Sequence, residues 1–426
     1  MKKRSILFLL TALACAALML AGCGDSKDTT ENEQKKPDEG PASSVTQTVE
    51  PTVTATEAPK ETNAPTDTPT PSPVPTHIEE GLAEHYKDLF PIGVAVPNGV
   101  ISNKTKYWDN ILHNYNQITC ENETKPDAVL FQSASQKGLP GTYLKPEIHF
   151  DNAKNIIAFC EENNIQMRLH TLVWHSQTPR WFFTEDYTPG GALVSRDVML
   201  KRMENYIKDV LEYFDTNHPG LIYAVDVVNE CFDKGEGDAD GVRMRAGENE
   251  NLWYTVVGAD YYYWAFYFAR KYAPDYMTLY YNDYGMTGKY EMVIKNLQKV
   301  KDEGLIDGIG MQSHLSTNDR IATSFMLALR SFCNAGYCVQ LTELDIGVSD
   351  TTEASYNLQA RKYKVLFKEC QALIEKGYDF RGITLWGVGD GNTWRDKDYP
   401  LLFDKNMKPK PAYYGALQED GILAME

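Results

Sequence analysis

From about residue 81 to the end of the chain, short apolar runs alternate with longer stretches whose apolar residues recur every three or four positions. The run 166–174 has the length and composition of a buried strand, and the stretch after it places apolar residues on one helical face. A later helical pattern is followed by Gly377, a residue type typical of helix ends. The first face comprises Met199, Met203, Tyr206, Ile207, Val210 and Phe214, and the second comprises Tyr363, Leu366, Cys370 and Leu373.

Eight apolar runs are predicted to be strands, and most of them are followed by a segment of helix length. Repeated β–α units with nearly continuous apolar strands indicate a closed parallel barrel. The predicted fold is therefore α/β, a (β/α)8 TIM barrel. An open doubly wound sheet is the alternative, but no G-x-G-x-x-G follows the first strand. The runs lie near 92–96, 117–121, 166–174, 222–229, 278–282, 308–313, 339–345 and 382–387.

The first 80 residues lack this alternation. Residues 1–22 begin with basic side chains, continue with an apolar segment and end in small residues before Cys23, and so resemble the signal peptide of a bacterial lipoprotein. Cys23 is the predicted lipidation site, although an ordinary secretory signal with an incidental cysteine is the alternative. Residues 23–80 are rich in Thr, Pro and acidic residues, which predicts a disordered, extended linker. The barrel would then occupy 81–426.

This arrangement predicts an exported protein, held at the cell surface by a lipid anchor. No later stretch is apolar for long enough to cross a bilayer. The formal net charge of −17 over 426 residues argues against nucleic-acid binding, because a phosphate backbone requires a basic surface. A polymer of neutral sugars makes no such demand.

The cysteines of the predicted barrel match no zinc-binding spacing. Several lie in apolar periodic segments, so free buried thiols are expected. Only Cys333 and Cys338 are near enough in sequence to raise the question of a disulfide. The six residues are Cys120, Cys160, Cys231, Cys333, Cys338 and Cys370.

An acidic loop after the fourth strand resembles a calcium-binding loop. Its acidic residues are Glu236, Asp238 and Asp240, with Gly241 next and Glu248 later. The first ligand position carries Glu, and the final Glu falls one place late for that pattern. We therefore expect a solvated acidic loop and no metal site.

Polar side chains stand at the C-terminal ends of nearly all the predicted strands. In a parallel barrel these ends gather at one mouth, where catalytic residues are found. Carboxylates, amides, imidazoles and indoles that converge there indicate an active site. They are Glu121 and Asn122, Trp174 and Gln177, Asn229 and Glu230, Asn282 and Tyr284, Gln312 and His314, Glu343 and Asp345, and Trp386.

Glu230 and Glu343 end the fourth and seventh strands, which face each other across a barrel mouth. Two carboxyl groups in different surroundings can divide glycosidic cleavage between an acid and a nucleophile. We expect His314 to hydrogen-bond Glu343, and Asp345 to hold His314 in one tautomer, which keeps Glu343 anionic. Glu230 ends an apolar strand and has no basic neighbour in sequence, as suits the acid.

With these residues the sequence resembles glycoside hydrolase family 10, whose main members are endo-β-1,4-xylanases. The resemblance covers about residues 85–415 and rests on ordered motifs. These motifs are Glu121–Lys125, His170–Pro179, Asp226–Glu230, Asn282–Tyr284, Gly308–His314, Thr342–Asp345 and Trp386-Gly387.

The resemblance implies endo-hydrolysis of β-1,4-xylosidic bonds in xylan by a retaining double displacement, without a cofactor. Glu230 would be the acid/base and Glu343 the nucleophile, with carboxyl groups about 5 to 5.5 Å apart. Asn229 would bind the sugar 2-hydroxyl, and Gln312 and His314 would hold the nucleophile, supported by Asp345. The implied substrate contacts are Glu121, Asn122, Lys125, His170, Trp174, Gln177, Tyr284, Gln312, Trp386 and Trp394.

Two other functions remain open at this stage. The same barrel could cut another β-1,4 glycan, such as a glucan. Alternatively, the chain could be a surface-anchored protein that binds sugar without cleaving it, although both Glu230 and Glu343 are present. We expect a monomer.

Overall fold

The structure is a computed structural model, and it describes residues 79–102, 107–137, 143–245 and 250–419. The predicted signal peptide, its Cys23 and the predicted linker as far as residue 78 lie outside the described residues. The boundaries predicted for these N-terminal segments therefore stay predictions.

The described residues contain nine strands, and all pairings between them are parallel. Eight of them close into a barrel, because β1 pairs with both β2 and β9, and β6 pairs with β8. The predicted (β/α)8 TIM barrel is confirmed. The strands are β1 Ile92–Val96, β2 Gln117–Cys120, β3 Gln166–Trp174, β4 Ile222–Asn229, β5 Thr278–Asp283, β6 Gly308–Met311, β7 His314–Ser316, β8 Cys338–Gly347 and β9 Phe380–Leu385.

Every predicted strand overlaps one observed strand. The sequence pattern did not predict β7, a three-residue strand that pairs with the end of β8. In this pairing His314 lies beside Asp345, and Ser316 lies beside Gly347. The strand is too short to produce a pattern of its own, yet it sets the position of His314 in the barrel mouth.

Helices follow the strands and pack around the barrel. They are α1 Leu82–His85, α2 Asn98–Ile101, α3 Tyr107–Asn114, α4 Pro126–Val129, α5 Gln132–Ser135, α6 Lys154–Glu162, α7 Arg196–Asn217, α8 Leu252–Val257, α9 Tyr261–Tyr272, α10 Met286–Asp302, α11 Met326–Asn334, α12 Glu353–Glu375 and α13 Pro411–Ala416. Shorter helical turns are Arg180–Phe183, Glu185–Tyr187 and Ile321–Phe325.

The two helical faces predicted from the apolar spacing are confirmed. All six apolar residues predicted for the first face are buried in α7, and all four predicted for the second are buried in α12. The side chain of Ser195 caps α7 by accepting a hydrogen bond from the Val198 amide at 3.4 Å. Gly377 follows α12 with a φ of 79°, a conformation that glycine adopts without steric penalty.

A buried ion pair joins neighbouring strands beneath the barrel mouth. Nε of Arg168 on β3 donates to Oδ2 of Asp226 on β4 at 3.0 Å, and its Nη1 donates to Oε1 of Gln340 on β8 at 2.8 Å. Nδ1 of His170 lies 3.0 Å from Oδ2 of Asp226. This network satisfies the buried charges and fixes the orientation of the His170 ring.

The six cysteines of the barrel carry no disulfide, and all but Cys333 are buried. The expectation of free buried thiols holds for five of the six and is wrong about the burial of Cys333, which is not bonded to Cys338. Across the described part of the chain, no helix combines the length and the apolar character needed to cross a membrane.

The acidic loop after β4 uses its carboxylates to bind protein donors. Oε2 of Glu236 accepts from Arg245 Nε at 2.8 Å. Oδ1 of Asp238 accepts from the amides of Asp240 and Val242, both at 3.0 Å. Glu248 lies outside the described residues. Within those that are described, no cluster of three His, Cys, Asp or Glu side chains could hold a metal ion.

Candidate active site

The C-terminal ends of the strands surround a cleft of about 620 Å³. Every residue predicted from the sequence to touch substrate or to act in catalysis lines this cleft, except Asp345, which lies directly behind His314. The lining residues are Glu121, Asn122, Lys125, His170, Trp174, Gln177, Asn229, Glu230, Tyr284, Gly285, Gln312, His314, Glu343, Trp386 and Trp394.

Glu343 is a buried carboxylate held by two donors. Only 4% of the residue is exposed. Its Oε1 accepts from Asn282 Nδ2 at 2.7 Å, and its Oε2 accepts from His314 Nε2 at 3.2 Å. Burial raises the pKa of Glu343, but the hydrogen bond from His314 and the other interactions outweigh it, so that its pKa is lowered overall. The geometry therefore favours an anion at this position.

His314 bridges two buried carboxylates. Its Nδ1 donates to Asp345 Oδ2 at 2.9 Å while its Nε2 faces Glu343. Burial lowers the pKa of His314, but hydrogen bonds to Asp345 and Glu343 raise it to about 9 overall. The expectation of a single neutral tautomer is therefore wrong, because near neutral pH both ring nitrogens carry protons and both donate. Asp345 stabilises an imidazolium.

Asp345 accepts hydrogen bonds from three side chains. Besides His314, it accepts from Trp394 Nε1 at 3.1 Å and from Arg395 Nη1 at 2.5 Å. Arg395 also donates to the carbonyl of Leu315 at 2.9 Å, which ties β7 to the same network. Sequence reasoning missed Arg395, because it lies within the long loop between β9 and α13 and stands at no strand end.

The charge state of His314 predicts a pH dependence of stability. The pKa of His314 is about 9 in the folded chain, against an ordinary value of 6.5. Its contribution to folding is then fully present below pH 6.5 and is lost as the pH rises through 9. At about 1.4 kcal/mol for each pH unit between these two pKa values, the contribution of His314 to the free energy of unfolding is about 3 kcal/mol.

Urea unfolding at a series of pH values would measure this contribution. Between pH 6.5 and 9 the wild-type free energy of unfolding should fall more steeply than that of His314→Gln, by about 3 kcal/mol. Parallel curves for the two proteins would contradict the assignment of a proton to both ring nitrogens.

Glu230 lies opposite, at the end of β4, and is partly exposed. Its Oε2 accepts from Trp174 Nε1 and its Oε1 accepts from Gln312 Nε2, both at 2.9 Å. The expectation that Gln312 holds the nucleophile is therefore wrong, because its amide is directed at the opposite glutamate. The surroundings of Glu230 also differ from the apolar ones expected from its neighbours in sequence. Val227 and Val228 pack into the core, while the carboxyl group points into a polar cleft.

A chain of hydrogen bonds links the two glutamates. Gln312 Nε2 also donates to Asn229 Oδ1 at 3.3 Å, and Asn282 Nδ2 donates to the same oxygen at 3.0 Å. Because Asn282 also donates to Glu343, two amides and Asn229 connect the carboxyl groups. The side-chain carbonyl of Asn229 accepts both of these hydrogen bonds, so its NH2 group remains as the donor for a ligand.

Asn282 is a site residue that sequence reasoning named as part of a motif without giving it a role. Its Oδ1 accepts from Thr342 Oγ1 at 2.5 Å, which fixes the amide so that Nδ2 faces Glu343. Gly310 makes room for it, because a Cβ there would lie 2.5 Å from Asn282 Oδ1. The feature of the sequence that could have indicated this role is the position of Asn282 at the end of a predicted strand.

One end of the cleft carries a group of polar side chains around Lys125. Its Nζ donates to Asn122 Oδ1 at 2.9 Å and to Gln177 Oε1 at 3.0 Å. The ammonium also lies 5.0 Å from the centre of the Trp174 ring. Burial lowers the pKa of Lys125 and raises that of Glu121. Closely spaced donors and acceptors of this kind suit the hydroxyl groups of a sugar.

Aromatic rings line the sides of the cleft. Trp386 lies edge-on to His170 and His314, with ring centres 5.4 and 6.4 Å away. Trp394 is 58% exposed and contacts His314 edge-on at 4.9 Å. Tyr284 also lines the cleft. Flat apolar surfaces beside convergent polar groups are typical of a ligand cleft.

Comparison with known proteins decides the family. The model of glycosyl hydrolase family 10 matches residues 81–419. The chain belongs to glycosyl hydrolase family 10. The resemblance that the strand-end motifs carried is thereby confirmed, and the family 10 match covers all the described residues from Gly81 onward.

Curated relatives agree with this membership. The chain is 35% identical over 342 residues to endo-1,4-β-xylanase B of Butyrivibrio fibrisolvens, covering 78% of this chain and 52% of the relative. It is 38% identical over 338 residues to a bifunctional endo-1,4-β-xylanase of Ruminococcus flavefaciens, covering 78% of this chain and 33% of the relative. The chain thus spans about half, or less, of the length of these relatives.

Solved structures share the fold. An endo-1,4-β-D-xylanase of Clostridium thermocellum, complexed with xylohexaose, superposes with a TM-score of 0.73 at 36% identity, covering 79% of this chain and 67% of that one. An intracellular xylanase of Thermoanaerobacterium saccharolyticum gives a TM-score of 0.68 at 33% identity, covering 79% and 98%.

Proposed function

We propose that this chain is an endo-β-1,4-xylanase that acts by a retaining double displacement. The observation that carries the proposal is the pair of carboxyl groups in one cleft, of which Glu343 is held anionic by His314 and Asn282. Related proteins with xylanase names and a complex with xylohexaose support xylan as the substrate.

In the first step, a carboxylate oxygen of Glu343 forms a bond to the anomeric carbon while the glycosidic carbon–oxygen bond breaks. Glu230 delivers its proton to the departing oxygen, so the leaving chain is released as an alcohol. In the second step, Glu230 takes a proton from water, and the resulting hydroxyl attacks the same carbon. The ester bond to Glu343 breaks, which regenerates both carboxyl groups.

The surrounding residues have proposed roles that follow from their contacts. The NH2 group of Asn229 would bind the sugar 2-hydroxyl, because its carbonyl is already paired. Trp174 and Gln312 would orient Glu230, to which they donate. The hydroxyl-binding groups near Lys125 and the rings of Trp386 and Trp394 would bind and cover the xylan chain.

Reducing-sugar release from glucuronoxylan, arabinoxylan and cellulose tests the substrate. Rapid release of short xylo-oligomers, with little from cellulose, is expected. Equal activity on cellulose would keep the mechanism and replace the substrate, an outcome of interest because one relative at 34% identity is named an exoglucanase. A folded protein that binds xylan without cleaving it would favour the sugar-binding alternative.

We also propose that the chain is anchored to the membrane by lipid on Cys23. The support is the sequence alone, namely a basic start, an apolar segment and small residues before this cysteine. The segment 23–80 would then act as a spacer that carries the barrel away from the membrane and toward polymeric substrate.

Substitution of Cys23 tests the anchor. Cys23→Ala should move most of the protein from the membrane fraction to the soluble exported fraction and should abolish incorporation of labelled fatty acid. Cys15→Ala is the matched control, because Cys15 lies inside the apolar segment and should leave anchoring unchanged. Incorporation of labelled fatty acid that survives Cys23→Ala would rule out this anchor.

A further inference from the structure

The backbone of Glu230 contacts a buried guanidinium. Nε of Arg243 donates to the carbonyl oxygen of Glu230 at 3.1 Å, and Nη2 donates to the hydroxyl of Tyr284 at 2.8 Å. The side chain of Arg243 is only 1% exposed. One cation thus joins the residue proposed as the acid/base to an aromatic ring that lines the cleft.

Glu230 adopts an unusual backbone conformation that needs such support. Its φ is 55°, in the left-handed region that disfavours residues with a Cβ. Conformations of this kind persist where the surroundings hold them in place. The amide of Glu230 donates to the carbonyl of Asn282 at 2.9 Å, and its own carbonyl accepts from Arg243. Arg243 therefore supports the C-terminal side of this residue.

The guanidinium is itself held firmly. Nη1 donates to Glu236 Oε2 at 2.5 Å, and Nη2 donates to Asp233 Oδ2 at 3.1 Å. Asn251 Nδ2 donates to the backbone carbonyl of Arg243 at 2.8 Å. A planar group with several directed donors and little freedom transmits position well, which a single ammonium group does not.

We propose that Arg243 is a positioning residue that sets the angle from which Glu230 delivers its proton to the leaving oxygen. The inference rests on the proposed function of Glu230 as the acid. Arg243 transfers no proton and touches no reacting atom. Its removal therefore slows the steps that need protonation by Glu230 and spares a first step that does not need an acid.

Two aryl β-xylobiosides with the same sugar portion separate these effects. Phenolate requires protonation to depart, whereas 2,4-dinitrophenolate departs without it. The kcat/KM of each reports the first step alone. Arg243→Met should lower kcat/KM by about 100-fold for the phenyl glycoside and by less than about threefold for the dinitrophenyl glycoside. Arg243→Lys keeps the positive charge but loses the planar, forked guanidinium group. Its kcat/KM for the phenyl glycoside should fall between the values of Arg243→Met and wild type.

The ratio of the two kcat/KM values is independent of the fraction of folded enzyme, so partial unfolding cannot imitate the result. Arg245→Met is the matched control. Arg245 donates to the same Glu236 carboxylate at 2.8 Å, and among the described residues none of its hydrogen bonds reaches Glu230 or Tyr284. It should leave the ratio unchanged.

Three outcomes would overturn the proposal. An equal loss on both glycosides would assign Arg243 a purely structural role. No loss on either would show that Glu230 keeps its position without it. If the wild-type protein, shown to be folded, cleaves neither glycoside, then the proposed function fails and this inference fails with it, a result distinct from the first two.

Discussion

Glu343→Ala is expected to lower kcat/KM by about 10⁴-fold or more on every xylo-oligosaccharide and aryl xylobioside, whatever the leaving group. The substitution removes the oxygen that bonds to the anomeric carbon, so the covalent route is lost. It also removes the carboxylate that His314 and Asn282 hold in place. Initial rates on xylotetraose and 2,4-dinitrophenyl β-xylobioside would measure the loss.

Azide gives this prediction a stereochemical test. In the space left by Glu343→Ala, azide can attack the face that the carboxylate used, and a dinitrophenyl β-glycoside should then yield the α-glycosyl azide. Glu162→Ala, at the exposed end of α6, is the matched control and should retain full activity. Residual activity above about one per cent of wild type in Glu343→Ala would exclude the nucleophile assignment.

Glu230→Ala should show a different pattern, because an acid matters in proportion to the leaving group. For phenyl β-xylobioside, kcat/KM should fall by about 10²- to 10⁴-fold, whereas for the dinitrophenyl glycoside it should change little. The second step still lacks its base, so the glycosyl-enzyme should accumulate and appear as a burst of dinitrophenolate.

Azide again distinguishes the roles. With Glu230→Ala it should attack the glycosyl-enzyme from the opposite face, raise the steady-state rate and yield the β-glycosyl azide. Opposite azide stereochemistry in the two variants would assign both carboxylates independently of sequence comparison. A loss that is the same for good and poor leaving groups would instead mean that Glu230 is not the acid.

Much of this site could be predicted from the sequence alone. In a parallel barrel, a residue at the C-terminal end of a strand lies at the same mouth as the residues that end the other strands. Apolar runs predicted the strands, and the rule that parallel strands share one mouth predicted that Glu230, Glu343 and the polar residues around them would converge. The cleft lining bears this out, even for residues separated by more than 200 positions such as Glu121 and Trp386.

The electrostatics of the site could not be obtained in that way. The protonation of His314 depends on burial and on two carboxylates of β8, one of which, Asp345, lies beside it where the short strand β7 pairs with β8. Sequence reasoning placed the right residues together and assigned the wrong charge state. The pKa of a group depends on distances and desolvation, which no spacing along the chain encodes.

Hydrogen-bond partners that lie on loops or on neighbouring strands could not be predicted from the sequence either. Arg395 and Arg243 come from loops without periodic patterns, and Asn282 gains its role only because β5 carries it toward Glu343 on β8. The chain by itself determined the strands, the helices and the residues at the barrel mouth, since local periodicity specifies them. Folding decided which donor meets which carboxylate, since those contacts join distant segments and depend on side-chain packing.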